Sequence, residues 1–363
     1  MLTRRELLRT AALTAAALPV AAAVGRAAGT PKIARIRGVR MALQSASFSF
    51  SGLALPDILK TMQALDLTEI DIMSEHIENL LGAPGIQLPG AGRPGPWTRP
   101  AGAAPGGPGG APGGAAPSTP PPAGAPAAQT ASGAAPVSAT GPAPAPGAAP
   151  ARPAFRGMDP AVREALRKWR LEVDLARFRE VKAEFDKAGR ILFSYNLSFN
   201  DSWTDAEIER GMLMTKALGT RIITASSPLS VMPRVAPLAE KHDVIVAMHN
   251  HQEGPEEFEK GMALSKNVWV NLDVGHFFAM GHDPVAYLRT HHQRITNIHV
   301  KDRKSNRGRE MPFGEGETPL REVLTLVRTE KYDIPVCIEY VGPDGPAVEL
   351  KRCLDYCRGL IEA

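Results

Sequence analysis

Short β-branched or apolar runs recur along the chain at residues 41–50, 67–73, 191–196, 221–226, 244–249, 268–273, 295–300 and 335–340. Most are the length of a buried strand. Between and after them, apolar residues repeat at helical spacing over residues 56–65, 175–188, 205–218, 231–241, 255–265, 284–291, 320–329 and 347–360. Several of these stretches open on a cap followed by proline, as in Asp283-Pro284 and Thr318-Pro319. Eight strands alternating with eight helices predict the α/β class. They favour a closed parallel (β/α)8 TIM barrel over an open doubly wound sheet, whose usual strand number is lower.

Two segments break the alternation. Residues 82–157 are Pro, Gly, Ala and Ser with almost no charge and no periodicity. Such a composition buries too little apolar surface to offset chain entropy, so it predicts a long disordered insertion in the loop after the second strand. Its Gly-rich pieces, such as Pro105-Gly106-Gly107-Pro108, follow no strand and open no helix, which excludes a phosphate-binding loop. Residues 1–29 have a targeting layout. Thr3-Arg4-Arg5-Glu6-Leu7-Leu8-Arg9 leads into an Ala-rich apolar run and then small residues around Ala27-Ala28-Gly29. This resembles a twin-arginine signal peptide, which implies export to the periplasm as a folded protein. The apolar run is too short and too weakly apolar for a stable membrane span. Without both segments about 260 residues remain, the size of one barrel. Residues 30–363 are therefore expected to form a single catalytic domain interrupted at 82–157.

Charge and cysteine usage narrow the function classes. The 42 Lys and Arg are scattered among 38 Asp and Glu, for a formal net charge of +4, which argues against a nucleic-acid surface. Cys337, Cys353 and Cys357 form no CxxC knuckle and no framework spread along the chain, so core packing is their expected role. No Arg or Lys cluster marks a phosphate pocket, which favours an unphosphorylated substrate. Homo-oligomerisation is left open.

The chemistry is concentrated at the carboxyl ends of the last four strands, which a barrel gathers around one axis. The fifth ends in Met248-His249-Asn250-His251-Gln252-Glu253, and alternation points His249 and His251 to one side. The sixth ends in Asp273-Val274-Gly275-His276, the seventh in His299-Val300-Lys301-Asp302 and the eighth in Ile338-Glu339-Tyr340. Mixed carboxylate and imidazole donors without thiolates suit Mn²⁺, Mg²⁺, Co²⁺ or Zn²⁺ in a working site and argue against structural zinc. Turn chemistry gives no reason for four successive strands to end this way.

Those strand ends resemble the xylose isomerase-like barrels, specifically the sugar phosphate isomerase/epimerase branch that includes ketose 3-epimerases, hydroxypyruvate isomerase and inosose dehydratase. The likeness runs from Met41 to the end of the chain, apart from the insertion. It implies one divalent metal, Mn²⁺ first, held by Asp273, His299 and Glu339 together with a residue after the fifth strand. The family's usual Glu at that place is replaced here by His249-Asn250-His251, with His249 the first choice as ligand. In the 3-epimerases the two Glu ligands also shuttle the substrate proton from opposite faces. The replacement therefore leaves room for dehydration or β-elimination beside epimerisation.

The resulting expectation is a metal-dependent isomerase or epimerase acting on a ketose or polyol through an enediolate, with Glu339 and His251 as proton-transfer groups. A dehydratase or lyase acting on an inosose or 3-keto-glycoside is the runner-up, and a non-catalytic periplasmic sugar-binding protein is the third reading. A repair nuclease with a trinuclear zinc cluster is disfavoured, because no histidine follows His299. Expected substrate contacts are His276, in the family's Asp-x-x-His motif, together with Lys301, His76 and Glu75. Asp302 is a candidate for ordering the seventh loop, and Glu315 in the Phe313-Gly314-Glu315-Gly316 turn is a candidate for facing the pocket.

Overall fold

A computed structural model describes residues 31–49, 51–88 and 158–363. The expected signal peptide and the insertion beyond residue 88 lie outside the described residues. Eight strands form the barrel: β1 Val39–Gln44, β2 Glu69–Met73, β3 Ile191–Asn196, β4 Ile222–Ala225, β5 Ile245–His249, β6 Val268–Asp273, β7 Ile295–Val300 and β8 Val336–Ile338. Each pairs in parallel with the next. β8 returns to β1 through Met41↔Val336, Ala42↔Cys337 and Leu43↔Ile338, which closes the barrel. A two-residue strand, Arg35–Ile36, adds an antiparallel pairing to the start of β1. All eight expected strands are present. The first is shorter than expected, because Ser45–Phe48 turn into a 3-10 helix whose Ala46 N–H is taken by the Gln44 side chain.

Strand alternation sorts the two faces. Ile70, Ile72, Val246, Met248, Val270, Leu272, Ile298 and Val300 join the main apolar core under the helices. The opposite parity carries Asp71, Thr224, Asn271, Asn297 and His299, all buried. Asp71 touches both Thr224 and His299, so these positions face the barrel axis. A small apolar plug of Ala42, Phe193 and Cys337 is separate from the outer core. The three cysteines are buried and free, as core packing requires.

The helices are α1 Leu55–Ala64, α2 Ser74–Leu80, α3 Pro160–Glu172, α4 Leu175–Lys187, α5 Asp205–Ala217, α6 Met232–His242, α7 Pro255–Leu264, α8 Val274–Ala279, α9 Pro284–His291, α10 Leu320–Thr329 and α11 Pro346–Glu362. Pro160, Pro255, Pro284 and Pro346 each sit in a first turn, where the missing N–H costs nothing. α2, α3 and α8 are additional to the expected set. No helix among the described residues is long and apolar enough to cross a membrane.

Residues 82–88, expected as the start of the insertion, are folded. Ala83 and Ile86 pack on Leu166 of α3, and Asn79 Nδ2 donates to the Ile86 carbonyl at 2.9 Å. The two flanks of the long segment are joined by a buried bidentate pair, with Arg170 Nε and Nη2 donating to Glu78 Oε1 and Oε2 at 2.7 and 2.8 Å. The Arg170 guanidinium also lies 4.2 Å over the Trp203 ring. Removing one partner of a buried pair strands the other charge. Arg170→Met should therefore cost about 3–5 kcal/mol of stability, read as a lowered denaturation midpoint. The double variant with Glu78→Leu should recover most of that loss.

Candidate metal centre

The barrel delivers its chemistry at the carboxyl ends of β5 to β8. His249 is the last residue of β5 and Asp273 the last of β6. Asp273 stands opposite His299 in the β6–β7 register, and Glu339 directly follows β8. His249, Asp273 and His299 each offer a ligand atom, and the three atoms lie within 4.8 Å of one another.

Local sequence explains why each points inward. Between the two β5 histidines, Asn250 donates to the Asp273 carbonyl at 3.0 Å and accepts from the Asp273 N–H at 2.9 Å, which pins the end of β5 to the end of β6. Asp273 then caps α8 by accepting from His276 N through Oδ1 at 2.7 Å, which frees Oδ2. Gly275 is required at this corner, because a Cβ there would lie 2.3 Å from the Lys301 carbonyl oxygen.

Two buried polar atoms in this cluster have no hydrogen-bond partner, His249 Nδ1 and Asp273 Oδ2, and a third, His299 Nδ1, has the Glu339 carboxylate 3.1 Å away. Leaving such groups unpaired is costly, and ligand atoms of His249, Asp273 and His299 within 4.8 Å of one another can take one shared partner. Two imidazole nitrogens and a carboxylate oxygen suit a divalent cation of the Mn, Co or Zn kind, so the donor set fits. Burial, then the neighbouring His299 and His251, hold His249 well below the ordinary histidine range, which keeps its ring available as a neutral ligand. Burial lifts the Asp273 carboxyl to about 7 against the pull of Lys301.

His299 has a clear division of labour between its nitrogens. Nε2 lies 3.0 Å from Asp71 Oδ2, and Nδ1 is 3.1 Å from Glu339 Oε2. Asp71 is itself held by Gln44 Nε2 at 2.8 Å and Thr224 Oγ1 at 2.8 Å. Burial opposes the charged form of His299, yet Asp71 and Glu339 outweigh it and raise the ring to about 9. A carboxylate behind a ligating histidine fixes its tautomer and strengthens it as a donor. Asp71, absent from the sequence-based site, therefore orients His299. Asp71→Asn should weaken metal affinity by about 10–100-fold, measured by competition with a chromogenic chelator, and leave the fold intact.

Glu339 Oε1 accepts from Lys301 Nζ at 3.0 Å, and Lys301 also meets Glu310 Oε1 at 3.1 Å. Burial works against the lysine's charge, but Glu310, Glu339 and Asp273 outweigh it and raise its pKa, so it stays a fixed cation. His251 lies beyond the strand end, its ring centroid 4.8 Å from His249 and 4.9 Å from His276, with Nε2 at 3.2 Å from Ser226 Oγ. Burial, then His251 and the charges of Lys301 and Arg303, depress His276 well below the ordinary range.

Asp302 orders the seventh loop by accepting from the backbone of Gly314, Gly316 and Thr318 at 2.8, 3.0 and 3.2 Å. Glu315 is exposed, and the loop acid that reaches the site is Glu310. His76 is buried in α2, and burial takes it down to about 4 against a backbone contact with Ser45. Glu75 accepts from Ser74 Oγ at 3.2 Å. Among the described residues no hydrogen bond links His76 or Glu75 to the cluster. Asp71 carried a signal in sequence, an acid amid the apolar residues of Glu69-Ile70-Asp71-Ile72 on the axis-facing parity. Glu310 and Arg303 carried none.

A family model described as xylose isomerase-like TIM barrel matches residues 151–357, more than half of the chain. L-ribulose-5-phosphate 3-epimerase UlaE of Escherichia coli is 29% identical over 107 residues, covering 27% of this chain and 38% of that protein. The chain thus matches well under half the length of that curated relative. Among solved structures, the probable 3-DHS dehydratase AsbF, involved in petrobactin synthesis in Bacillus anthracis, superposes with a TM-score of 0.52 at 13% identity, covering 86% of this chain and 98% of that one. The IOLI protein with a binding zinc atom gives a TM-score of 0.51 at 12% identity, covering 89% and 98%. At these identities both superpositions show a shared fold.

Proposed function

The chain belongs to the xylose isomerase-like TIM-barrel family, and from that premise we propose that it is a divalent-metal-dependent isomerase or epimerase of a sugar- or polyol-derived ketone. The observation that carries this reading is the convergence of one ligand atom each from buried His249, Asp273 and His299 within 4.8 Å, beside the Glu339 carboxylate. A divalent cation held by these residues, Mn²⁺ first, would supply Lewis acidity to a carbonyl and its neighbouring hydroxyl. Glu339 takes the proton from the carbon next to the carbonyl, and Lys301 holds that carboxylate in place through Oε1. Lys301 is also a fixed positive charge near the developing negative charge, which needs no reorganisation during the step. His251 stands as the second proton-handling group, and His276 as a substrate contact. The nearby cations Lys301 and Arg303 are already engaged, by carboxylates in one case and by Gly308 O and His276 in the other, which supports an unphosphorylated substrate.

Imidazoles in place of a second carboxylate across from Glu339 favour one other reading. A neutral imidazole N–H can protonate a leaving oxygen, which would make the enzyme a dehydratase or lyase acting on an inosose or 3-keto-glycoside. The AsbF likeness is compatible with that chemistry. Incubating the metal-loaded protein with ketoses, inososes and 3-keto-glycosides in deuterated water, followed by NMR, separates the readings. An isomer carrying deuterium next to the carbonyl is expected. An unsaturated or fragmented product would move the assignment to lyase, and tight binding without exchange on any ketone would leave a sugar-binding protein. The Thr3-Arg4-Arg5 segment supports periplasmic export, which fractionation of a strain lacking twin-arginine transport would test.

A further inference from the structure

His249, His251 and His276 place three imidazole nitrogens within 4.8 Å of one another, an arrangement that invites a second cation next to the first. Arg303 argues otherwise. Its guanidinium is fixed in the loop after β7, with Nε and Nη2 both donating to the Gly308 carbonyl at 3.1 and 2.6 Å. Its backbone N–H donates to Thr318 Oγ1 at 2.9 Å, and the chain at Gly308 approaches Lys304 so closely that a Cβ would sit 2.4 Å from that residue's own Cβ. From this anchored position Nη1 contacts His276 Nδ1. A guanidinium has donors only, so Nδ1 must accept, and the single proton of the neutral ring then belongs to Nε2. Nε2 lies 3.8 Å from Asp273 Oδ2.

We propose that Arg303 is a positioning residue that locks His276 in its Nε2–H tautomer, so that His276 offers a hydrogen-bond donor beside Asp273 and does not join His249 and His251 in holding a second cation. Neither nitrogen keeps a free lone pair, since one is taken by the arginine and the other carries the proton. The centre therefore binds one metal per chain. The His276 N–H selects substrates that place an oxygen acceptor next to the Asp273 side of the site. The substrate consequence rests on the proposed function, whereas the tautomer and the stoichiometry are independent of it.

Long-range ¹H–¹⁵N NMR of histidine-labelled, metal-free full chain reads the tautomer directly, with His276 assigned through His276→Gln. The expected result is a protonated Nε2 and a bare Nδ1 in the wild type, shifting to a tautomer mixture in Arg303→Met. A wild-type ring protonated on Nδ1 or on both nitrogens overturns the proposal, as does an unchanged tautomer in a folded Arg303→Met. If that variant does not fold, the wild-type spectrum and zinc titration decide. Zinc titration of the wild type should saturate at one equivalent, and saturation at two overturns the proposal. In Arg303→Met a second, weaker equivalent should appear. Failure of the wild type to bind zinc at all, with the Nε2–H tautomer intact, would remove the metal-dependent function and leave the lock standing.

Discussion

Asp273→Asn should leave the barrel folded and strip it of metal, with activity falling by at least about 100-fold. The amide oxygen can keep accepting from His276 N, so the cap of α8 survives. The NH2 then takes the place of Oδ2 and puts a donor, where an acceptor is needed, among the ligand atoms of His249 and His299. Metal analysis after dialysis should find about one equivalent in the wild type and none in the variant; equal metal content in the two would remove Asp273 from the ligand set.

Stability of the metal-free protein should move the other way. The carboxyl titrates near the ordinary 3.8 when unfolded and at about 7 when folded. A raised folded value means that the native state binds the extra proton, so the stability it contributes is complete below about pH 4 and is lost as pH rises to about 7. Asn carries no such penalty. Above pH 7 Asp273→Asn should melt higher than metal-free wild type, and the gap should close near pH 4.

What could be read from the sequence followed from periodicity. The strands were legible because a parallel barrel buries both faces and leaves unbroken apolar runs bounded by turns. Asp273, His299 and Glu339 were legible because they interrupt those runs at the same end. α3 was not, although Val162, Leu166 and Trp169 repeat at helical spacing, because it follows directly on the low-complexity segment and is additional to the eight helices a regular barrel calls for. The short α8, Val274–Ala279, reads as a loop, since its one cap is the residue already claimed as a ligand. Asp71 was hidden for a related reason: on the axis-facing parity a buried acid depends on Gln44 and Thr224, one from the neighbouring strand and one from two strands away. Glu310 and Arg303 lie in a loop without period, held by long-range bonds such as those of Asp302 to Gly314, Gly316 and Thr318 and of Arg303 N–H to Thr318.

Glu339→Gln separates the two roles given to that residue. Lys301 Nζ is a donor, so the amide must turn its oxygen toward the lysine and its NH2 toward His299 Nδ1, 3.1 Å from the present Oε2. That nitrogen is a proposed metal-facing atom, and a new N–H there competes for its lone pair. Metal affinity should therefore fall, and excess metal should restore occupancy. Activity should not return with it, because an amide cannot take the substrate proton. At saturating metal kcat should remain lower by about 10²–10⁴-fold, the usual contribution of a positioned general base. Solvent deuterium incorporation should fall in parallel with kcat. Full recovery of kcat at saturating metal would reassign proton transfer to the histidine face and leave Glu339 a ligand alone.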